Sequence, residues 1–282
     1  MRRGKCGSKF RHVYGKAASK DKCYDCVPIT RSVHDNHFCA VNPHFIAVVT
    51  ECAGGGAFLV IPVHQTGKLD PHYPRICGHK GNVVDIKWNP FNDFVIASCS
   101  EDATVKIWDI PKHLLTRNIT SPKKELLGHV RRVGLIEWHP TASNILFSSG
   151  YDYKIMIWNL DTKEAVLSNP VKILDVHRDV ILSMSFNTDG SLLATACRDR
   201  NIRLIDPRAG VVLQVGWIQR FVVQLISLGV CFLFWVDSLP LTKTHLCPAL
   251  PKTPDGGIGF MKHLLPLLKT GFLPPATKPL AL

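Results

Sequence analysis

The sequence predicts an all-β fold made of repeated units, because the same residue types recur at the same spacing along the chain. A glycine–histidine pair, a tryptophan, an aspartate and a second tryptophan occur twice in this order, fifty residues apart. The two copies are Gly78-His79, Trp88, Asp102 and Trp108, then Gly128-His129, Trp138, Asp152 and Trp158. A period of about 40 to 50 residues that closes on tryptophan and aspartate is typical of a WD-type β-propeller. We therefore expect a binding protein rather than a catalyst.

A third, shorter copy follows, with His177, Phe186 and Asp199 at the matching positions and Ile205 in place of the second tryptophan. Each copy ends in a run whose apolar residues alternate, as a strand buried on one face requires. These runs contain Val105 and Ile107, Ile155 and Ile157, and Ile202 and Leu204.

Each copy also carries a hydroxyl four residues before its aspartate. In propellers of this kind such residues form a chain of hydrogen bonds from the histidine through the aspartate and the hydroxyl to the indole. The candidate residues are His79, Ser98, Asp102 and Trp108, then His129, Ser148, Asp152 and Trp158, then His177, Thr195 and Asp199. The third network must stop before the indole, and since each bond contributes about 1 kcal/mol net, we expect the third repeat to be the weaker one.

Histidine and aspartate within one repeat could also be a catalytic base and its orienting partner, or metal ligands. Their recurrence at equivalent positions favours an architectural role, because a catalytic site needs one asymmetric arrangement. The sequence contains no nucleophile elbow, Walker loop or H-E-x-x-H motif. The Gly54–Gly56 triplet is followed by a strand-like run and indicates a hairpin turn, not a phosphate cradle. We expect no enzymatic activity and no cofactor.

Ten cysteines in 282 residues are too few for a disulfide scaffold, and we expect them to be reduced. Five of them lie in apolar, strand-like runs and are expected to be core residues: Cys39, Cys52, Cys77, Cys99 and Cys197. Cys23 and Cys26 form a lone C-x2-C without a second pair, so a loop is favoured there over a zinc site.

These patterns divide the chain into four parts. A basic segment at 1–36 precedes a divergent first blade at 37–75, and three WD repeats occupy 76–214. The repeats span about 76–125, 126–173 and 174–214, and an apolar, proline-rich tail fills 215–282. The first residues are basic and lack an apolar signal segment, so a cytoplasmic location is expected.

Several short segments resemble the coronin family of WD-repeat proteins, most closely its vertebrate type 2 class. The resemblance extends from about residue 8 to Gln214. It is carried by Ser8–Gly15, Val27–Arg31, Phe38–Pro43, Gly54–Phe58, Phe91–Asp93, Arg132–Gly134, Glu137–Pro140 and Ile205–Arg208.

That resemblance implies binding to actin filaments and a role in organising the actin cytoskeleton. It also implies a seven-bladed propeller, a C-terminal extension and a coiled coil for oligomerisation. Only about four blade equivalents precede Gln214 here, and no heptad pattern follows, so we expect an open arc without coiled-coil oligomerisation. One flank is expected to be exposed at the first blade and another at the third repeat, partly covered by the apolar tail.

The formal net charge is +12, with a concentration of lysine and arginine at the beginning of the chain. Actin filaments are acidic, so a basic surface has a natural partner whose attraction weakens as salt rises. The predicted actin contacts are Lys9, Arg11, Lys20, Lys22 and Arg31. The resemblance also implies weaker or displaced filament binding, since related proteins tend to carry a basic residue where this chain has Pro28. A second cluster, Arg131-Arg132, is equally compatible with a partner contact and with simple solvation.

The last 68 residues contain eight prolines, two acidic residues and an uncharged run from Phe221 to Val236. Sixteen residues fall short of the roughly 20 that span a bilayer as a helix. Three alternatives stay open for this tail: a poorly ordered apolar segment that aggregates or packs on the open propeller, a membrane-inserted helix, and a replacement domain.

Two functions follow from these observations. The first is an actin-filament-binding protein of the cytoplasm and actin cytoskeleton, with other cytoskeletal or scaffold proteins as further partners. The second is a generic WD-repeat scaffold for protein complexes without actin binding. Nucleic acid is not an expected partner.

Overall fold

The computed structural model describes residues 19–32, 36–52, 54–112 and 115–217 of this chain. Within these ranges the only helical element is one 3₁₀ turn, Lys20–Lys22, and no helix is long and apolar enough to span a bilayer. The remaining elements are short strands, most of which form four separate sheets. A fifth, two-stranded parallel sheet pairs β1 (Tyr24–Asp25) with β5 (Gly67–Lys68).

The four main sheets are the blades of a propeller, each an antiparallel meander. Blade 1 consists of β2 (Cys39–Val41), β3 (Phe45–Cys52), β4 (Gly55–Pro62) and β6 (Arg75–His79). Blade 2 consists of β7 (Val83–Asn89), β8 (Asn92–Ser100), β9 (Thr104–Asp109) and β10 (Lys124–Leu127), with β14 (Val166–Leu167) added in parallel at its edge.

Blade 3 consists of β11 (Val133–Trp138), β12 (Ile145–Gly150), β13 (Ile155–Asn159) and β15 (Lys172–Leu174). Blade 4 consists of β16 (Ile181–Phe186), β17 (Leu193–Cys197), β18 (Asn201–Asp206) and β19 (Val211–Trp217). Successive blades meet through their first strands, β2 with β7, β7 with β11 and β11 with β16. The predicted all-β WD propeller of about four blades is confirmed, and its sheets do not close into a ring.

The blades are offset from the sequence repeats. Each repeat begins with the outer strand of one blade and continues into the three inner strands of the next. His79, for example, ends the outer strand of blade 1, whereas Ser98 and Trp108 lie on blade 2. The repeated motif therefore links neighbouring blades and does not lie within one of them.

Large apolar side chains fill the seams between blades. Phe58 of blade 1 and Trp108 of blade 2 pack edge to face with ring centroids 6.1 Å apart, and Phe147 and Phe186 do the same between blades 3 and 4 at 4.8 Å. Such aromatic pairs add about 0.5–1.5 kcal/mol to the area that they bury. The core is thus a series of blade-to-blade interfaces and not a single central cluster.

The first tryptophan of a repeat forms a hydrogen bond between its blade and the preceding one. Trp88 Nε1 donates to the carbonyl of Ala40 at 3.1 Å, and Trp138 Nε1 donates to the carbonyl of Lys87 at 3.1 Å. Blade 4 has Phe186 at this position, and phenylalanine has no N–H to donate. The seam between blades 3 and 4 lacks this bond.

The expectation of an exposed flank at blade 1 is wrong. Leu59 and Ile61, on the side of blade 1 away from blade 2, are each 1% exposed. They pack with Leu69 and Tyr73 of the β4–β6 connection and with Tyr24 of the N-terminal segment. The chain itself covers this flank, because the segment from β1 onward runs across it.

The cysteine prediction needs one correction. Cys99 and Cys197 are buried as expected, but Cys39 is exposed on the short first strand of blade 1, and Cys52 and Cys77 are only half-buried. Period-2 alternation cannot tell which face of an end strand is covered. The tail from 218 onward, including the run Phe221–Val236, lies outside the described residues.

Candidate functional site

The predicted hydrogen-bond network of blade 2 is assembled around His79, which is 4% exposed. Its Nδ1 lies 3.0 Å from Asp102 Oδ2 and its Nε2 lies 2.8 Å from Ser98 Oγ. Trp108 Nε1 donates to the same Ser98 oxygen at 2.8 Å. A carboxylate can only accept, so the histidine proton is on Nδ1, and Ser98 donates its proton to Nε2 while accepting from the indole. The imidazole of His79, the hydroxyl of Ser98 and the indole N–H of Trp108 therefore all have partners within this network.

Blade 3 repeats this geometry. His129 Nδ1 lies 2.9 Å from Asp152 Oδ2, His129 Nε2 lies 2.8 Å from Ser148 Oγ, and Trp158 Nε1 donates to Ser148 Oγ at 2.9 Å. The order is aspartate, histidine, serine, tryptophan in both blades, so the histidine and not the aspartate stands next to the hydroxyl. The sequence-based expectation had placed the aspartate between them.

The indoles of these networks leave no room for a side chain on the residue before each histidine, which is why that residue is glycine. A Cβ on Gly78 would lie 2.9 Å from Trp108 Cη2, and one on Gly128 would lie 2.9 Å from Trp158 Cη2. Contacts this short would displace the indole from its hydroxyl partner.

Both aspartates are held in their charged form. Burial alone would raise their pKa values, but the hydrogen bonds that they accept, above all from the adjacent histidine, outweigh it and lower the pKa of Asp102 and of Asp152. Asp102 also accepts from the backbone N–H of Lys80 at 2.8 Å. These carboxylates are engaged internally and are not available to bind a ligand.

Blade 4 departs from the pattern at its aspartate. His177 Nε2 lies 2.8 Å from Thr195 Oγ1, but His177 Nδ1 has no hydrogen-bond partner although the side chain is buried. Asp199 instead accepts two hydrogen bonds from Arg203, from Nη1 at 3.3 Å and from Nη2 at 2.5 Å. A planar guanidinium takes a carboxylate in this bidentate manner better than an imidazole can.

The histidine of blade 4 consequently has the opposite tautomer. Thr195 Oγ1 donates to the carbonyl of Arg203 at 3.4 Å, so it accepts the proton of His177 Nε2 and leaves Nδ1 as a bare acceptor. Burial, together with the positive charge of Arg203, lowers the pKa of His177 to about 4. This histidine is neutral at physiological pH.

The three networks are therefore internal supports. Their histidines are all buried, and the described residues contain no group of three or more side chains suited to hold a metal ion. The three networks lie at one end of the blades. At this end the first strand of each blade begins and its second strand ends, as the pairings of Val83 with Ser100 and of Val133 with Gly150 show. We call this end the histidine face and define it by six turns: 80–82, 101–103, 130–132, 151–153, 178–180 and 198–200.

Within the six turns, every exposed charged residue is positive: Lys80, Arg131, Arg178, Arg198 and Arg200. Three of these follow a repeat histidine by one or two residues, and the other two flank the aspartate of the third repeat. The exposed acid Asp175, which precedes the fifth turn, is paired with Lys154 Nζ at 3.3 Å. The structure thus spaces cations along the arc from blade 2 to blade 4.

The acidic residues of the same turns point into the protein's own hydrogen-bond network. Asp102 and Asp152 serve their histidines, and Asp199 serves Arg203. Asp179 accepts from the backbone N–H of Val180 at 2.7 Å, and Glu101 accepts from Asn82 Nδ2 at 3.0 Å. The field presented to a partner is therefore cationic, although the turns contain nearly as many acids as bases.

One arginine of this face is fixed rather than free. Arg132 stacks on the ring of Tyr151, with its guanidinium carbon 3.8 Å from the ring centroid, and approaches Glu101 Oε1 of blade 2 at 3.7 Å. Cation–π stacking of this kind contributes about 0.5–1 kcal/mol at exposed sites. Of the predicted basic pair, Arg132 joins two blades and Arg131 extends to solvent.

Of the predicted actin contacts, only Lys22 and Arg31 have described side chains, and they lie at opposite ends of blade 1. Lys9 and Arg11 lie outside the described residues, and for Lys20 only the backbone of the 3₁₀ turn is described. Lys22 is exposed next to β1, where the carbonyl of the following residue, Cys23, accepts from Gly67 N at 2.8 Å. This is the end of blade 1 remote from the histidine face, since Tyr24 donates to the carbonyl of Val63, just after β4 ends.

Arg31 lies at the histidine face. Its backbone N–H donates to Glu51 Oε1 at 2.7 Å, and Glu51 stands next to the end of the second strand of blade 1. The side chain of Arg31 is exposed, as is Pro28. Sequence reasoning missed Lys80, Arg178, Arg198 and Arg200, although their fixed distance from the repeat histidines and aspartates was a usable signal.

At the opposite end of blades 1 and 2 is a shallow cavity of about 500 Å³. Its lining includes Phe45, Pro62, Phe94, His64 and Lys112. Lys112 Nζ lies 5.4 Å from the centroid of the Phe94 ring, so the ring face already partners this cation. The cavity lies away from the cationic arc.

Comparison with protein families finds two kinds of domain in this chain. Residues 6–68 match a domain described as DUF1899, a domain of unknown function. Three segments match the WD domain, G-beta repeat, at 72–109, 120–159 and 168–206. The three WD matches follow the sequence repeats, from the outer strand of one blade through the inner strands of the next, and the match at 6–68 includes β1 to β4.

The curated relatives are coronins. Over 207 residues the chain is 79% identical to Coronin-2A of Homo sapiens, covering 73% of this chain and 39% of that protein. It is 67% identical over 207 residues to Coronin-2B of Xenopus laevis, covering 73% of this chain and 42% of that protein. The chain thus spans about two fifths of the length of these relatives. The crystal structure of the WD40 domain of Toxoplasma gondii coronin superposes with a TM-score of 0.64 at 26% identity, over 72% of this chain and 50% of that one.

Proposed function

Because the matched three quarters of this chain belong to the coronin family, we propose that the protein binds actin filaments through its histidine face. In this proposal it is a non-enzymatic WD-repeat scaffold of the cytoplasm that acts in the organisation of the actin cytoskeleton. The observation that carries the proposal is the arc of exposed cations on blades 2 to 4, with Arg31 at the same end of blade 1.

The physical argument is electrostatic. The acids within the six turns are partly buried and hydrogen-bonded, so the exposed charge of these turns is positive and attracts an acidic polymer over about one Debye length, near 8–10 Å at physiological salt. Several cations spread along an arc also suit a repeating partner, since each contact is weak and their sum sets the affinity. Lys9, Arg11 and Lys20 remain predicted contributors from the preceding segment, whereas Lys22 lies at the other end of blade 1.

The test is co-sedimentation of the full chain with actin filaments across a salt series, beside a filament-free tube that detects aggregation. We compare the wild type with the double variant Arg131→Glu/Arg178→Glu, which reverses two exposed charges of the histidine face. The matched control is Lys68→Glu/Lys163→Glu, which changes the net charge equally at exposed positions elsewhere.

The expected result is filament-dependent pelleting that falls with salt and weakens about tenfold or more in the face variant, because close charge pairs each contribute on the order of 1 kcal/mol. The control variant should pellet like the wild type. Equal losses in both variants would show that only net charge matters, and wild-type pelleting without filaments would remove the basis for the proposal.

The second candidate is a WD-repeat scaffold without actin binding. It is favoured by one observation, the exposed Pro28 at a position where the family resemblance implies a basic filament contact. If filament pelleting is absent while the face variant loses an acidic protein partner that the control variant keeps, this second function replaces the first.

A further inference from the structure

The face of blade 4 that looks away from blade 3 is apolar and has no covering layer among the described residues. In the antiparallel register Leu193 pairs with Ile205, and both pack against blade 3. The neighbouring pairs of Ala194 with Leu204 and of Ala196 with Ile202 must point to the opposite side, because side chains alternate along a strand. No hydrophobic cluster among the described residues includes Ala194, Ile202 or Leu204.

The equivalent face of blade 3 shows what this surface lacks. There Phe147, Ile155 and Ile157 occupy the positions of Ala194, Ile202 and Leu204, and they are 2%, 0% and 8% exposed beneath blade 4. Ile202 and Leu204 are only half-buried. A propeller blade buries its apolar face against the next blade, so we expect the face of blade 4 to bind another apolar surface.

A second copy cannot supply that partner in the way a neighbouring blade does. The complementary surface would be the flank of blade 1 away from blade 2, and Leu59 and Ile61 of that flank are already covered by Tyr24, Leu69 and Tyr73. Head-to-tail joining of two arcs is therefore blocked at one of its two surfaces.

The chain itself continues directly from blade 4, whose outer strand ends at Trp217. Every crossing from an outer strand to the first strand of the next blade is short, three residues at 80–82, five at 128–132 and six at 175–180. The outer strand of blade 4 ends at Trp217, and the uncharged run Phe221–Val236 begins after 218–220, another connection of three residues. The run thus starts where the first strand of a fifth blade would start.

The composition of the run fits this position. It is rich in β-branched and aromatic residues, whose side chains suit packing on the apolar face of a sheet. A tether of a few residues also gives it a millimolar effective concentration at the face, well above that of any free partner. We propose that residues 221–236 dock on the open face of blade 4, over Ala194, Ile202 and Leu204.

Hydrogen exchange of the full chain tests this assignment. In the wild type the amides of 221–236 should exchange about tenfold or more slowly than in the free peptide of that sequence, because docking on the face shields the backbone of the segment from water. Leu204→Asp should abolish this protection. Ile173→Asp is the matched control, since Ile173 lies on the outer strand of blade 3 and is already 47% exposed, and it should leave the protection unchanged.

The amides of β16–β18 must stay protected in Leu204→Asp, because their loss would show that blade 4 itself had unfolded. An independent measurement is used in that case. A photo-crosslinker at position 194 should react with residues 221–236 of the same chain. Wild-type exchange of the run at the free-peptide rate overturns the proposal. So do crosslinks between chains, protection that grows with protein concentration, and protection that needs phosphatidylserine vesicles.

Discussion

The serine at the centre of the blade 3 network should contribute more to stability than the threonine at the same place in blade 4. Ser148 accepts from Trp158 Nε1 and lies within hydrogen-bond distance of His129 Nε2, so Ser148→Ala removes the partner of two buried groups. Thr195→Val, which changes the shape of the side chain as little, removes the partner of one histidine nitrogen and a long bond, 3.4 Å, to the carbonyl of Arg203.

The magnitude follows from the number of orphaned groups. Each buried donor or acceptor left without a partner costs about 1–3 kcal/mol, so we expect a loss of about 2–6 kcal/mol for Ser148→Ala and about 1–3 kcal/mol for Thr195→Val. Both are large against the 5–15 kcal/mol by which a typical domain is stable. Ser98→Ala in blade 2 should behave like Ser148→Ala, because Ser98 has the same two partners.

The assay is equilibrium unfolding of the full chain in urea at pH 7, followed by tryptophan fluorescence and by far-ultraviolet circular dichroism. With a slope of about 1–3 kcal/mol per molar urea, Ser148→Ala should lower the midpoint by about 1 M relative to Thr195→Val. Equal midpoints for the two variants would refute the reasoning, since they would show that the indole bond contributes nothing. A midpoint for Ser98→Ala near that of Thr195→Val would do the same.

Two further predictions concern the unpaired histidine of blade 4. Burial lowers the pKa of His177 to about 4, below its unfolded value near 6.5, so the folded state binds fewer protons, and the free energy of unfolding should fall by roughly 3 kcal/mol as the pH drops from about 6.5 to 4. Urea titrations at several pH values check this, and His177→Gln should show a flatter pH profile than the wild type; an identical profile contradicts it. Arg203→Met installs the residue that blade 3 has and releases Asp199 to accept from His177, so the pKa of this histidine should rise. Its imidazole shift, followed by NMR against pH, measures the change, and a pKa that stays near 4 would show that Arg203 does not hold the carboxylate away.

The repeat spacing predicted the propeller and the members of its networks because each residue type there has one narrow role. A buried histidine needs two partners and a buried indole needs one, so Ser98 and Ser148 are expected near both from spacing alone. Spacing could not give the order of the bonds, since the strands fold back and bring Ser98 closer to His79 than sequence distance implies.

Other features were set by competition between neighbours, which a repeat pattern does not record. Asp199 occupies the expected position, yet Arg203, four residues later on the same hairpin, takes its carboxylate. The flank of blade 1 was expected to be open, but residues before the repeats, among them Tyr24 and Val27, lie across it. The cationic face was missed because its acids and bases nearly balance in sequence, and only their burial separates them.

The interfaces between blades differ in the number of hydrogen bonds that cross them, so they should differ in their resistance to a pulling force. Blades 1 to 3 are each stitched to a neighbour by an indole bond to a backbone carbonyl, whereas Phe186 offers none to blade 3. The histidine that links blades 3 and 4 likewise keeps only one of its two partners. A pulling force applied along the chain therefore peels off blade 4 first and leaves the three N-terminal blades, with their covered flank, as the part that resists.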